Sequence, residues 1–116
     1  MPLHYVILHH TGFGDEHWDL MLESGDVLHT WQLPQEPTSP ADLPMPARRI
    51  GDHRKAYLSY EGPVSGGRGQ VRRCDAGSLD WLKNDVGRFD FTLLGGRLRG
   101  FFSLTAANDH WNFSAM

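Results

Sequence analysis

The sequence predicts a mainly β protein: a compact antiparallel β-barrel or sandwich with at most one or two short helical turns. Three observations carry that expectation. Eight strand-like runs of five to seven residues recur along the chain, and Gly, Asp or Asn residues punctuate them. Two tight-turn signals, Ser24-Gly25-Asp26 and Gly95-Gly96, imply antiparallel neighbours, because glycine takes the positive φ that two-residue hairpins need. Only Ser78 to Asp85 offers a helical turn, with Ser78 as an N-cap and a strand as equal contender. Short, regularly spaced strands with so little helix match barrels and sandwiches.

In chain order, Tyr5 to His10 is an apolar run that delivers two histidines at its end, His9 and His10. A Gly-containing loop leads to His17 to Glu23, where alternation puts His17, Asp19, Met21 and Glu23 on one face and Trp18, Leu20 and Leu22 on the other. Val27 to Leu33 follows across the first turn. Pro34 to Pro46 holds five of the seven prolines, too many for a helix or central strand, and is expected as a loop over the sheet. The further expected strands are Ala56 to Tyr60, Gly69 to Cys74, Phe89 to Leu94, Leu98 to Leu104 and His110 to Ala115.

With 116 residues the chain is expected to form one domain, 1–116. Apolar content of 40% and charged content of 22% fit a globular class. No apolar stretch reaches the roughly 20 residues that cross a bilayer, and the start lacks a signal peptide's basic-then-apolar order. The expected location is cytoplasmic, with no membrane partner. Cys74 is the single cysteine, so neither an internal disulfide nor a thiolate zinc cluster is available. A formal charge of −3 argues against coating long nucleic acid, which requires neutralising many phosphates, and leaves room for a small local phosphate site.

Two constellations carry chemistry. His10, His17 and Asp19 offer two imidazoles and a carboxylate, a set suited to Mn²⁺, Zn²⁺ or another divalent transition metal with positions left open. His9 competes with His10, because alternation sends them to opposite faces. Singly, such residues are more often solvated strand positions; together they point to a site. Asp52-His53-Arg54-Lys55-Ala56-Tyr57 places His53 and Tyr57 where a loop enters a strand, able to donate hydrogen bonds to a phosphate oxygen. The glycine-rich link Glu61 to Gly69 lacks the ordered spacing of a P-loop. No nucleophile elbow appears.

The order of His10, His-Trp-Asp-Leu-Met-Leu-Glu, Leu28 to Pro34, Asp52-His53 with Tyr57, and Tyr60-Glu61-Gly62 resembles the 3′-phosphoesterase domain of bacterial DNA ligase D. The likeness continues through Asp75-Ala76-Gly77, Leu98-Arg99-Gly100 and Trp111. It implies a manganese-dependent phosphoesterase acting on DNA 3′ ends, with His10, His17 and Asp19 as metal ligands. His53 and Tyr57 would contact phosphate and serve catalysis. DNA 3′ ends are the implied partner, end-joining ligase or polymerase proteins are further candidates, and a monomer is expected. Met21 stands where the family pattern has a phosphate-binding arginine; a thioether cannot make the bidentate bonds of a guanidinium. Arg49 and Arg54, with Arg48 and Arg68, are the candidates to supply that charge. The His10–His17 loop is one residue longer than usual and lacks basic residues. A metal- and phosphate-end-binding module with little turnover, or a small-molecule phosphoesterase, is the alternative.

Overall fold

A computed structural model describes residues 2–116. Its strands are β1 (Leu3–Thr11), β2 (His17–Ser24), β3 (Val27–Leu33), β4 (Met45–Arg54), β5 (Gly62–Pro63), β6 (Gln70–Asp85), β7 (Arg88–Gly95), β8 (Arg99–Ala107) and β9 (His110–Ala115). The antiparallel order β1-β2-β3-β4-β9-β8-β7-β6 returns from β6 to β1, so eight strands close a barrel and β5 hangs beside β6. Closure removes the unpaired edges that an open sheet exposes. Only two 3₁₀ turns, Pro40–Asp42 and Lys55–Leu58, interrupt the β pattern among the described residues. No helix among them is long and apolar enough to cross a membrane.

Alternation explains the interior. Tyr5, Ile7, Leu20, Leu22, Trp31, Leu33, Phe91, Phe102 and Phe113 pack inside the barrel, each at most 1% exposed. Burying side chains of this size contributes on the order of 1.5–3 kcal/mol apiece. The Tyr5–Leu8 run is apolar on both faces because both are covered. Val6 and Leu8 point outward with Met21, Leu28 and Val71, and Tyr57, Leu58 and Val64 close over that second cluster.

This outer cluster accounts for one departure from the sequence expectation. Ala56 to Tyr60 is not a strand but contains the 3₁₀ turn Lys55–Leu58. A strand would send Tyr57 and Leu58 to opposite faces, whereas the turn lets both pack on the outer patch. A second departure is β4, Met45–Arg54, a strand absent from those the sequence predicts, which takes in Pro46 at the end of the expected proline loop. Gly69 to Cys74 and Ser78 to Asp85 are parts of one strand, β6, whose first half pairs with β1 and second half with β7. The apparent breaker Gly77 is needed for that dual pairing. A Cβ there would lie 2.2 Å from the Leu94 carbonyl oxygen, so only glycine lets β7 approach. Beside it, Asp75 is buried and accepts bonds from the N–H groups of Gly96, Arg97 and Leu98 and from the Tyr5 hydroxyl at 2.5 Å. It fixes the β7–β8 turn to the barrel.

Candidate metal and phosphate site

The Gly25-Asp26 turn sets the β2–β3 register, and the β1–β2 pairing places His10 directly across from His17 and Leu8 across from Asp19. His10, His17 and Asp19 therefore share the barrel's outer face. One ligand atom from each lies within 4.8 Å of the others. His17 Nε2 is 3.2 Å from Asp19 Oδ1, and His10 Nδ1 is 3.6 Å from Oδ2. His9 takes the other face, stacked on Trp18 at 4.7 Å and paired with Glu16. Among the two histidines, geometry brings His10 to the cluster.

Backbone carbonyls fix the tautomers. His17 Nδ1 lies 2.9 Å from the Asp15 carbonyl oxygen, and His10 Nε2 lies 2.7 Å from that of Arg68. A carbonyl only accepts, so those nitrogens carry protons, and the second nitrogen of each ring, His17 Nε2 and His10 Nδ1, faces Asp19. The carboxylate is 2% exposed, and its Oδ1 has no hydrogen-bond donor. Burial pushes the Asp19 acid above the ordinary carboxylate range, against the pull of His17, His10 and His53. With one ring nitrogen of each histidine bound to a carbonyl, the other is directed to the space beside the Asp19 carboxylate, where a cation would meet all three groups. The donor set, two imidazoles and a carboxylate with second-layer carbonyls orienting the rings, fits a divalent transition ion.

The wall opposite is built by a bulge. Thr30 pairs with Ile50 and Leu28 with His53, so Gly51 and Asp52 together oppose His29. That extra residue shifts the parity of β4, and Ile50 and His53 both face the cleft. His53 Nδ1 donates to the Gly51 carbonyl at 3.0 Å, leaving Nε2 free. Tyr57 meets His53 edge to face at 5.5 Å. Lys55, at the start of the 3₁₀ turn, binds Glu23 of β2 at 2.8 Å and so ties the Tyr57 turn to the strand that carries His17 and Asp19. The resulting open cleft, of about 440 Å³, is bordered by the triad, Met21, Gln32, His53, Arg54, Tyr57 and Arg68.

The expected arginines separate. Arg54 and Arg68 border the cleft. Arg48 lies in the adjoining groove, which shares His17 and Gln32 with it. Arg49 does not border the cleft: it pairs with inward-facing Trp31, and its guanidinium stacks 4.9 Å from the Trp31 ring, against Phe89 and Trp111 as well. Met21, 1% exposed, forms the cleft's apolar floor with Val71.

The family model of the DNA Ligase D 3′-phosphoesterase domain matches residues 8–106. The chain belongs to this family. Two relatives agree: the multifunctional non-homologous end joining protein LigD of Mycobacterium bovis and the multifunctional non-homologous end joining DNA repair protein LigD of Mycobacterium tuberculosis. Each is 30% identical over 103 residues, covering 82% of this chain. The chain spans 14% of the length of these relatives. The matched span includes every residue of the cleft named above.

Several residues of the cleft went unread in the sequence. Gln32, whose amide nitrogen is 3.5 Å from His17 Nε2, was reachable: a two-residue turn after Ser24 pairs Asp19 with Gln32. Glu23 is not among the residues that border the cleft, and its carboxylate holds Lys55. The carbonyls of Asp15 and Arg68 carry no sequence signal, since any residue supplies one.

Proposed function

We propose that the chain is a metal-dependent phosphoesterase that removes the terminal phosphate from DNA 3′ ends, with His10, His17 and Asp19 holding Mn²⁺ or a similar divalent ion. The carrying observation is the buried Asp19 carboxylate with one ligand atom of His10 and of His17 within 4.8 Å, each ring oriented by a backbone carbonyl at its other nitrogen. When bound, such an ion polarises phosphate and lowers the pKa of a coordinated water. The chain's own groups supply the rest. His53, its Nδ1–H held by the Gly51 carbonyl, presents Nε2 to the cleft; in its imidazolium form it gives the Nε2 proton to the departing sugar oxygen and is left neutral. The Tyr57 hydroxyl offers a hydrogen bond to a phosphoryl oxygen without adding charge. Arg54 supplies cationic charge at the cleft rim, in place of an arginine at position 21. One chain forms the whole cleft, so the proposed unit is a monomer working in the cytoplasm, alongside end-joining ligase or polymerase proteins.

The test is phosphate release from a 3′-phosphorylated oligonucleotide with Mn²⁺, using the intact chain, His17→Ala and Asp19→Ala. Turnover by the intact chain and its loss in both variants is expected; undiminished turnover in both overturns the assignment. The apolar floor at Met21 favours a second reading, a module that binds metal and phosphorylated ends without hydrolysing them. Binding without phosphate release would select it. A nucleoside 3′-monophosphate hydrolysed as efficiently as a DNA end would select a small-molecule phosphoesterase.

A further inference from the structure

Phe13 is a large apolar side chain for which the hydrolysis has no use. It stands 53% exposed at the lip of the cleft, on the connection between β1 and β2. Its ring lies 20° from parallel to His10, with centroids 6.5 Å apart, and His10 lies 4.7 Å from His17. His10 thus neighbours both other rings, and of the three Phe13 is the exposed one. Its position is set by backbone rather than by core packing. Gly12 and Gly14 on either side have φ of 82° and 67°, in the left-handed region that favours glycine. A Cβ on Gly12 would come within 3.2 Å of Gly69 Cα, so the connection is seated against the glycine-rich link.

The chemistry of the connection points to what the ring meets. It carries Asp15 and Glu16 and neither lysine nor arginine, so the connection itself offers no cation to a phosphate backbone. Stacking on a nucleobase needs no charge and tolerates every base, since each has a π-face. A terminal phosphate held at the triad leaves its sugar and base one step further out, and Phe13 is one ring beyond His10.

Resting on the phosphoesterase reading above, we infer that Phe13 is the stacking platform for the base of the 3′-terminal nucleotide. It selects base-bearing ends over phosphoesters that lack a base. The experiment compares two labelled oligonucleotides ending in a hydrolysis-resistant 3′-phosphonate, one with its terminal base and one abasic, by anisotropy titration in Mn²⁺. The intact chain should prefer the base-bearing end by roughly 5- to 150-fold, the range that one base–aromatic stack supplies. Phe13→Ala should lose the preference by weakening only the base-bearing end, and Phe13→Trp should keep it. Equal affinity of the intact chain for both ends overturns the inference. Equal weakening of both ends by Phe13→Ala also overturns it and makes Phe13 a packing partner of His10. Phosphate release from an ordinary 3′-phosphorylated end is scored separately, so failure of the hydrolytic reading is recognised independently.

Discussion

Replacing Asp19 by Asn should make the protein more stable without metal and less stable with it. The carboxylate is 2% exposed with one oxygen unserved, and leaving a buried polar group unsatisfied costs about 1–3 kcal/mol. Asparagine keeps the volume and removes the charge, although its amide also needs partners, so a net gain of about 1 kcal/mol is expected in EDTA at pH 8. For a chain of this size that is a rise of about 4 °C in Tm. Metal reverses the order. An ion at a hundred times its Kd adds about 2.7 kcal/mol to the intact protein, or about 10 °C, and nothing to a variant that cannot bind it. Calorimetric melts of both proteins, with EDTA and with rising Mn²⁺, should therefore cross. A variant that is less stable in EDTA would show that the carboxylate serves the fold. A variant that still gains 10 °C with Mn²⁺ would remove Asp19 from the ligand set.

Tyr5→Phe deletes the 2.5 Å bond to buried Asp75 and should cost about 1.5–3 kcal/mol in chemical denaturation. Burial, then the bond to Asp75, pushes the Tyr5 hydroxyl well above the ordinary tyrosine range. Above about pH 10 the unfolded chain releases that proton and the folded one keeps it, so intact stability falls with rising pH. Tyr5→Phe should show a shallower fall, and parallel curves would refute the assignment. Glu23→Gln frees the Lys55 tether of the Tyr57 turn, and KM for a 3′-phosphorylated end should rise several-fold with the barrel's Tm lowered by only a few degrees. An unchanged KM would show that Tyr57 is placed by the outer apolar cluster alone. Arg54→Met should weaken kcat/KM by roughly 10- to 100-fold if its charge replaces the family arginine, as the loss of a charge-assisted hydrogen bond implies. A change below twofold would move that role to Arg68 or Arg48.

Much of this architecture was legible because the relevant signals are local. Turn residues marked the hairpins, period-two alternation marked the inner and outer faces of β2, and together they put His17 and Asp19 on one side. The errors share a physical origin in long-range contact. Ala56 to Tyr60 reads as strand by composition, yet Lys55–Leu58 forms a 3₁₀ turn because the outer patch of Val6, Leu8, Met21, Leu28 and Val71 must be covered. Gly77 reads as a break and is a point of close strand approach. The side that His53 and Arg49 occupy depends on the bulge at Gly51-Asp52, and one added residue inverts parity from there on. His9 and His10 could not be separated by alternation alone; the β1–β2 register separates them.

The most direct test of the central claim is a crystal of the intact chain soaked in Mn²⁺, with diffraction recorded at the manganese absorption edge. The account predicts an anomalous peak bounded by His10 Nδ1, His17 Nε2 and the Asp19 carboxylate. A peak beside His9 and Glu16 instead, or none at the triad under saturating Mn²⁺, would contradict it.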